Sequence, residues 1–220
     1  MKTNAASLFI AAALIFSSST AFAGFSLTCE DDIITVDCDS SCDIDIAMAD
    51  AGLFTVIGAG DSVSGTTRTC HFISDPDEMV FMGSHEDDSF TPDHSLDDVA
   101  LVAYGGDGDD YIQATGNRVN TLHGGNGDDH LNLLSCDVHG SSAMGNNGHD
   151  TLWGTYSYDD LLKGGKGDDT IVAYGGNDTI IGNRGHDTID AGDGDDIIHG
   201  GSGNDSCDGG SGSNTIHDCE

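Results

Sequence analysis

From Gly164 to His217 the chain divides into six consecutive blocks of nine residues with nothing left over: GGKGDDTIV, AYGGNDTII, GNRGHDTID, AGDGDDIIH, GGSGNDSCD and GGSGSNTIH. The fourth place is glycine throughout (Gly167, Gly176, Gly185, Gly194, Gly203 and Gly212). The sixth reads Asp169, Asp178, Asp187, Asp196, Asp205 and then Asn214, and the eighth Ile171, Ile180, Ile189, Ile198, Cys207 and Ile216. A period held this strictly leaves few folds open. One block offers a single inward apolar side chain, too little to bury alone, so successive blocks have to stack. The last three residues suit a short strand whose middle side chain turns inward, and the glycines suit a tight turn at positive φ. An apolar residue at every ninth position argues against a flexible glycine-rich linker.

The same block carries chemistry. Glycines leave carbonyl oxygens uncovered, and the sixth place adds a carboxylate. Carbonyl and carboxylate oxygens at close range are the ligand set of a hard cation such as calcium.

The pattern extends towards the N-terminus. Clear blocks begin at Gly105 (GGDGDDYIQ), Gly124 (GGNGDDHLN) and Gly145 (GNNGHDTLW). Between them lie worn ones, TGNRVNTLH from Thr115, CDVHGSSAM from Cys136 and TYSYDDLLK from Thr155. Their inward places hold Leu122, Ala143 and Leu162, apolar like Ile112, Leu131 and Leu152 of the clear blocks. If two blocks make one turn, the clear blocks starting at 105, 124, 145, 164, 182 and 200 fall on one side. The blocks starting at 115, 136, 155, 173, 191 and 209 fall on the other. This predicts a cation column along the whole of one side, with the opposite side able to bind only near its C-terminal end.

These blocks resemble the glycine- and aspartate-rich nonapeptide repeat of the RTX, or hemolysin-type calcium-binding, family. The resemblance implies an all-β fold, a parallel β-roll (right-handed β-solenoid), with calcium between adjacent turns held by loop carbonyls and sixth-place aspartates. Carried over by position, the carboxylates of the strong column are Asp110, Asp129, Asp150, Asp169, Asp187 and Asp205, with Asp178 and Asp196 serving the second. The carbonyls of Gly106, Gly108, Gly125, Gly127, Gly165 and Gly167 would complete several sites. Asn146 and Asn183 depart from the second-place glycine but can adopt left-handed angles. Asn214 lacks the charge of the aspartate it replaces. Many family members leave the cell by a one-step route with a C-terminal signal, whereas this chain opens differently and ends just after the repeats.

Lys2, an apolar run and Ala-Phe-Ala ending at Ala23 form a secretory signal, residues 1–23, with cleavage expected before Gly24. The run is too short for a comfortable membrane span, so no span is expected in the mature form. The expected location is secreted or extracellular, the periplasm included. The formal charge of -33 argues against nucleic acid and anionic membranes and for cations or a basic partner. Seven cysteines in an exported chain suggest disulfides with one left over. Cys29, Cys38, Cys42 and Cys70 allow two bridges in three connectivities. Cys207 with Cys219 would tie down the last turns, leaving Cys136 over.

Residues 24–95 read as a small cysteine-containing β region, with ITVDC, DIDIAMA and LFTVIG as alternating strands. Two readings stay open there: a stapled cap, or the solenoid beginning early in worn form. HEDDSF (85–90) resembles a degenerate nonapeptide, with Asp88 and Phe90 at the right places. Residues 96–220 form the roll.

Catalytic signals are poor. HEDDS lacks the second histidine of a zinc-protease helix, no Gly-x-Ser-x-Gly elbow occurs, and the chain is not expected to be an enzyme. The expected role is calcium binding with calcium-dependent folding, in a structural or adhesive protein. The alternatives are a calcium-dependent carbohydrate-binding module whose partner is an extracellular glycan or cell-surface component, or an enzyme with its active part in 24–95. Trp153, Tyr156 and Tyr158 are candidates for a sugar-binding ledge. His199 and His217, one turn apart, should stack about 4.8 Å from each other. An ice-binding face would need a threonine row at the third place, and none exists.

Overall fold

The computed structural model describes residues 25–30, 33–38, 43–49, 53–58, 66–71, 78–83, 85–92, 99–136 and 140–220. For the five strands before residue 72 the description is of backbone pairing. The expectations for residues 1–23, and for disulfides among Cys29, Cys38, Cys42 and Cys70, lie outside the described residues.

The described residues form strands and turns and no helix. The strands are β1 (Phe25–Glu30), β2 (Ile33–Cys38), β3 (Asp43–Ala49), β4 (Leu53–Gly58), β5 (Thr66–His71), β6 (Glu78–Met82), β7 (Ser89–Pro92), β8 (Ala100–Asp107), β9 (Tyr111–Gly116) and β10 (Thr121–Asn126). They continue with β11 (His130–Cys136), β12 (Ser142–Asn147), β13 (Thr151–Trp153), β14 (Leu161–Lys166), β15 (Thr170–Val172), β16 (Thr179–Arg184), β17 (Thr188–Asp190), β18 (Ile197–Ser202), β19 (Ser206–Asp208) and β20 (Thr215–His217). They pair into two ten-stranded sheets, ordered β1-β2-β6-β8-β10-β12-β14-β16-β18-β20 and β19-β17-β15-β13-β11-β9-β7-β3-β4-β5. From β6 onwards the chain crosses to the other sheet after every strand, and each strand pairs in parallel with the one two places on. The result is the expected all-strand parallel β-solenoid, of about 7 turns. Among the described residues no helix is long and apolar enough to cross a membrane.

The eighth-place side chains make the core. In the first sheet Leu122 lies opposite Ala103 and Ala143, and Leu162 opposite Ile180. In the second, Leu131 lies opposite Ile112 and Leu152, and Ile171 opposite Ile189. All are buried. The interior is therefore two facing files of apolar side chains, one residue per strand in the regular repeats and two in β6, β8, β9 and β11, closed above by Phe81 and Phe90 with ring centroids 4.7 Å apart. Each side chain touches its own file and the opposite one, so truncating one opens a cavity that neighbours cannot fill without shifting a rung.

β2 pairs in parallel with β6 and β3 with β7, continuing the rungs, while β1, β4 and β5 add antiparallel strands at the outer edge. At the other end Cys207 and Cys219 form the expected disulfide, with Cα atoms 5.8 Å apart. Cys136 is buried and accepts a hydrogen bond from the Asn120 side-chain amide.

Candidate metal centre

Two columns of loops join the sheets. The first holds the clear blocks, with loops at 105–110, 124–129, 145–150, 164–169, 182–187 and 200–205, and the structure adds residues 85–88 above them. The second holds the loops at 115–120, 155–160, 173–178, 191–196 and 209–214, and Gly140 and Ser141 between the first two. The alternation predicted by the period is thus the observed one, and the extra residues before 164 fall in and around the second column.

In the first column the sixth-place carboxylates are turned inward and are at most 3 % exposed. One oxygen of each ties two rungs together. Oδ1 of Asp110 accepts from the Asp88 amide at 2.7 Å. Asp129, Asp150, Asp169, Asp187 and Asp205 repeat the contact with the amide of the aspartate before them, each at 2.9 Å. The other oxygen, Oδ2, of Asp110, Asp129, Asp150, Asp169, Asp187 and Asp205 is buried with no hydrogen-bond partner. It occupies the space that a first-place side chain would need: a Cβ on Gly124 or Gly164 would fall on the Oδ2 of Asp129 or Asp169.

A column of half-satisfied carboxylates is unfavourable without compensating positive charge. Burial, opposed in part by the inter-rung amide, pushes Asp110 and Asp169 up to about 7, Asp129 to about 8 and Asp150 to about 6. Asp187 is raised for the same reason. Neighbouring carboxylates add to the push: Asp129 feels Asp110 and Asp150. Either protons or a cation must neutralise such a row.

The glycines supply further oxygens. Gly125 and Gly127 stand at φ +137° and +130°, and a Cβ there would collide with the carbonyl oxygens of Gly106 and Gly108 one rung above. Those oxygens therefore lie against the α-carbons of the next rung, an approach that only glycine permits. Gly165 and Gly167 meet the carbonyls of Asn146 and Gly148 in the same way. Asn146 and Asn183 take the left-handed angles expected of them, φ 82° and 79°. Among the described residues no three His, Cys, Asp or Glu side chains converge on one point. An ion here would have to complete its shell with main-chain carbonyls. Such an all-oxygen set fits calcium and does not fit zinc or copper.

The second column changes character along its length. Asp178 and Asp196 repeat the first-column arrangement, with Oδ1 accepting the amides of Asp160 and Asp178 and Oδ2 buried without a hydrogen bond. Burial pushes Asp178 to about 7 and raises Asp196. Elsewhere internal donors stand where a cation would. The Asn120 amide donates to the carbonyls of Arg118 and Thr115, and that of Asn214 to Gly209. At Asp160 the Thr155 amide and hydroxyl both donate to Oδ2. Sequence reasoning put Asp88 at the right place of a worn block without assigning it an ion, and singled out no role for Asp160. Each has aspartate at the sixth place, but the fourth-place glycine is missing, replaced by Glu86 and Tyr158.

The profile of the RTX calcium-binding nonapeptide repeat matches residues 115–135, 155–189 and 181–216 in four copies. These are RTX calcium-binding nonapeptide repeats. No curated protein and no solved structure matches the chain. The first-column loops continue beyond the matched residues to the Asp88 rung, which keeps its inward aspartate and phenylalanine while lacking the second- and fourth-place glycines.

Two further ladders run along the outside of the first column. At the fifth place each side chain accepts from the next rung's amide, through Asp87, Asp109, Asp128, His149, Asp168 and His186. At the third place Asn126 donates to Asp107, Asn147 to Asn126 and Lys166 to Asn147. Asp107 is held below the ordinary range by the Asn126 amide and by His85. On the sheet faces, His199 and His217 stack with centroids 4.9 Å apart, as the one-turn spacing predicts. The aromatic ledge instead divides: Trp153 packs edge-on against His130, which stacks on Tyr111, and Tyr156 packs against Tyr174.

Proposed function

We propose that the chain is an exported, calcium-loaded β-roll with a structural or adhesive role outside the cytoplasm. The observation that carries the reading is the set of eight buried aspartate oxygens without hydrogen bonds, at Asp110, Asp129, Asp150, Asp169, Asp178, Asp187, Asp196 and Asp205. Calcium supplies the positive charge this row lacks. Asp110, Asp129, Asp150, Asp169, Asp187 and Asp205, with the carbonyls of Gly106, Gly108, Gly125, Gly127, Gly165 and Gly167, hold the first-column ions; Asp178 and Asp196 hold those of the second. Binding free energy then becomes folding free energy, since the aliphatic files are thin and the charge of -33 opposes compaction. Export is supported by the apolar run after Lys2 and by the Cys207–Cys219 disulfide, which suits an oxidising compartment. We assign no catalytic step.

Calorimetric titration of the mature chain, followed by circular dichroism, tests this. Uptake of several ions at about 0.1–1 mM, the range of extracellular modules, should accompany a gain of β signal that EDTA reverses. A spectrum indifferent to EDTA would overturn the reading.

A further inference from the structure

The chain has 39 Asp and Glu against six Lys and Arg. Three of those six, Lys163, Lys166 and Arg184, lie together on two successive rungs and line one shallow groove of about 680 Å³ on the outer face of the first sheet. No acidic residue lines it. None of the three forms an ion pair among the described residues. In so acidic a chain, cations left without internal carboxylates and gathered at one place point outward, to an anion that is not part of the fold.

The groove has shape as well as charge. Its floor is Gly165, which pairs with Asn146 on one side and Asn183 on the other. A residue with no side chain thus sits between two asparagines at left-handed positions, with the Asn146 amide donating to the Met144 carbonyl at 3.2 Å and its side-chain oxygen left to accept. The two places where a second-place glycine of the first column becomes asparagine are the two walls of this notch. Lys166 and Arg184 pair across adjacent rungs, about 4.8 Å apart at the backbone, and Lys163 stands three residues along the strand, about 10 Å away. Met144 and Ile181, flanking Lys163 in register, add an apolar strip.

We propose that this groove binds a linear polysaccharide bearing carboxylate groups, a uronate-containing glycan. Lys163, Lys166 and Arg184 pair with its carboxylates, Asn146 and Asn183 hydrogen-bond its hydroxyls, and its C–H face lies on Met144 and Ile181. The notch over Gly165 admits a sugar ring close to the backbone. An acidic peptide is disfavoured because the groove lies on a sheet face, where strand main-chain groups are already used between rungs and no edge is open for strand addition. An anionic membrane is disfavoured because three cations cannot hold a chain of this net charge to a negative surface. The proposal rests on the calcium-loaded reading, since calcium in the loops beneath removes the carboxylate charge that would repel a uronate.

The test uses the mature chain in calcium, with ligand and protein dialysed against the same buffer, and an oligogalacturonate as probe. Binding should fall at least tenfold with the methyl-esterified oligomer, which keeps the sugar and loses the charge. It should fall at least tenfold in the triple variant Lys163→Gln, Lys166→Gln, Arg184→Gln and weaken in Ser202→Glu, which places an acid at the rim. Calcium uptake and the circular dichroism spectrum of both variants should stay as in the unsubstituted chain. Equal binding of the ester, equal binding by the triple variant, or polyglutamate binding as well as the uronate would overturn the proposal. So would absence of binding in a chain that takes up calcium normally, and in that case the calcium reading would stand. A chain that takes up no calcium would sink both.

Discussion

Replacing Asp129 with asparagine separates the two things its carboxylate does. Oδ1 accepts the Asp110 amide at 2.9 Å, and an asparagine oxygen can do the same, as Asn214 already does for the amide of Asp196. Oδ2 is buried without a hydrogen bond, and burial pushes the group up to about 8. An amide in its place brings two N–H donors and no charge. Asn120 and Asn214 show where they go, to main-chain carbonyls of their own loop. Leaving a buried acceptor unsatisfied costs about 1–3 kcal/mol, and more for a charged one. In EDTA at neutral pH, Asp129→Asn should therefore be more stable than the unsubstituted chain by at least about 1 kcal/mol. In calcium the order should reverse. Losing one ion bound at a hundredfold excess over its dissociation constant removes about 2.7 kcal/mol of linkage. Urea titrations in EDTA and in millimolar calcium read both signs, and calorimetry should show fewer ions bound. A variant destabilised equally in the two buffers would refute the argument, because the carboxylate would then be contributing structure and not holding a cation.

Protons should substitute for calcium. The folded-state values of about 6 to 8 at Asp110, Asp129, Asp150, Asp169 and Asp178 lie above the ordinary 3.8. Raised values mean stability that is fully present below the unfolded value and lost as pH rises through the folded one. The EDTA-treated roll should be folded near pH 4 and open between about pH 6 and 8, by circular dichroism; a roll that opened on acidification instead would contradict this. Reducing Cys207–Cys219, which closes a loop of sequence separation 12, should cost about 3 kcal/mol, felt in the last rungs and read as faster hydrogen exchange in β19 and β20 than in β10 and β11.

Much of the roll is legible in the sequence because its interactions are periodic. An apolar eighth place, a sixth-place aspartate and glycines that cannot be replaced at Gly125 and Gly127 each follow from one block stacking on the next. The stacking of His199 on His217 follows from counting alone. The first-column stretch at 85–88 was harder to see, because its aspartate and phenylalanine survive without the glycines that mark a loop. Asp160 was hidden in the same way, and its pairing with Thr155 is a contact within one loop that no period announces.

What the amino-acid order by itself determined is the rung: which side chain faces in, which place carries the carboxylate, and that neighbouring rungs must share their charges. Tertiary structure alone decided what meets what across rungs of unequal length. The spacings of 22, 19 and 21 residues between successive sixth-place aspartates before the regular repeats, and of 18 within them, still bring each one under the last. The same register gathers Lys163, Lys166 and Arg184 around Gly165. The physical reason is that strand pairing, and not distance along the chain, sets neighbours in a solenoid, and the extra residues are taken up at the ends of second-sheet strands, as in the register shift between Asn132 and Ser135 of β11.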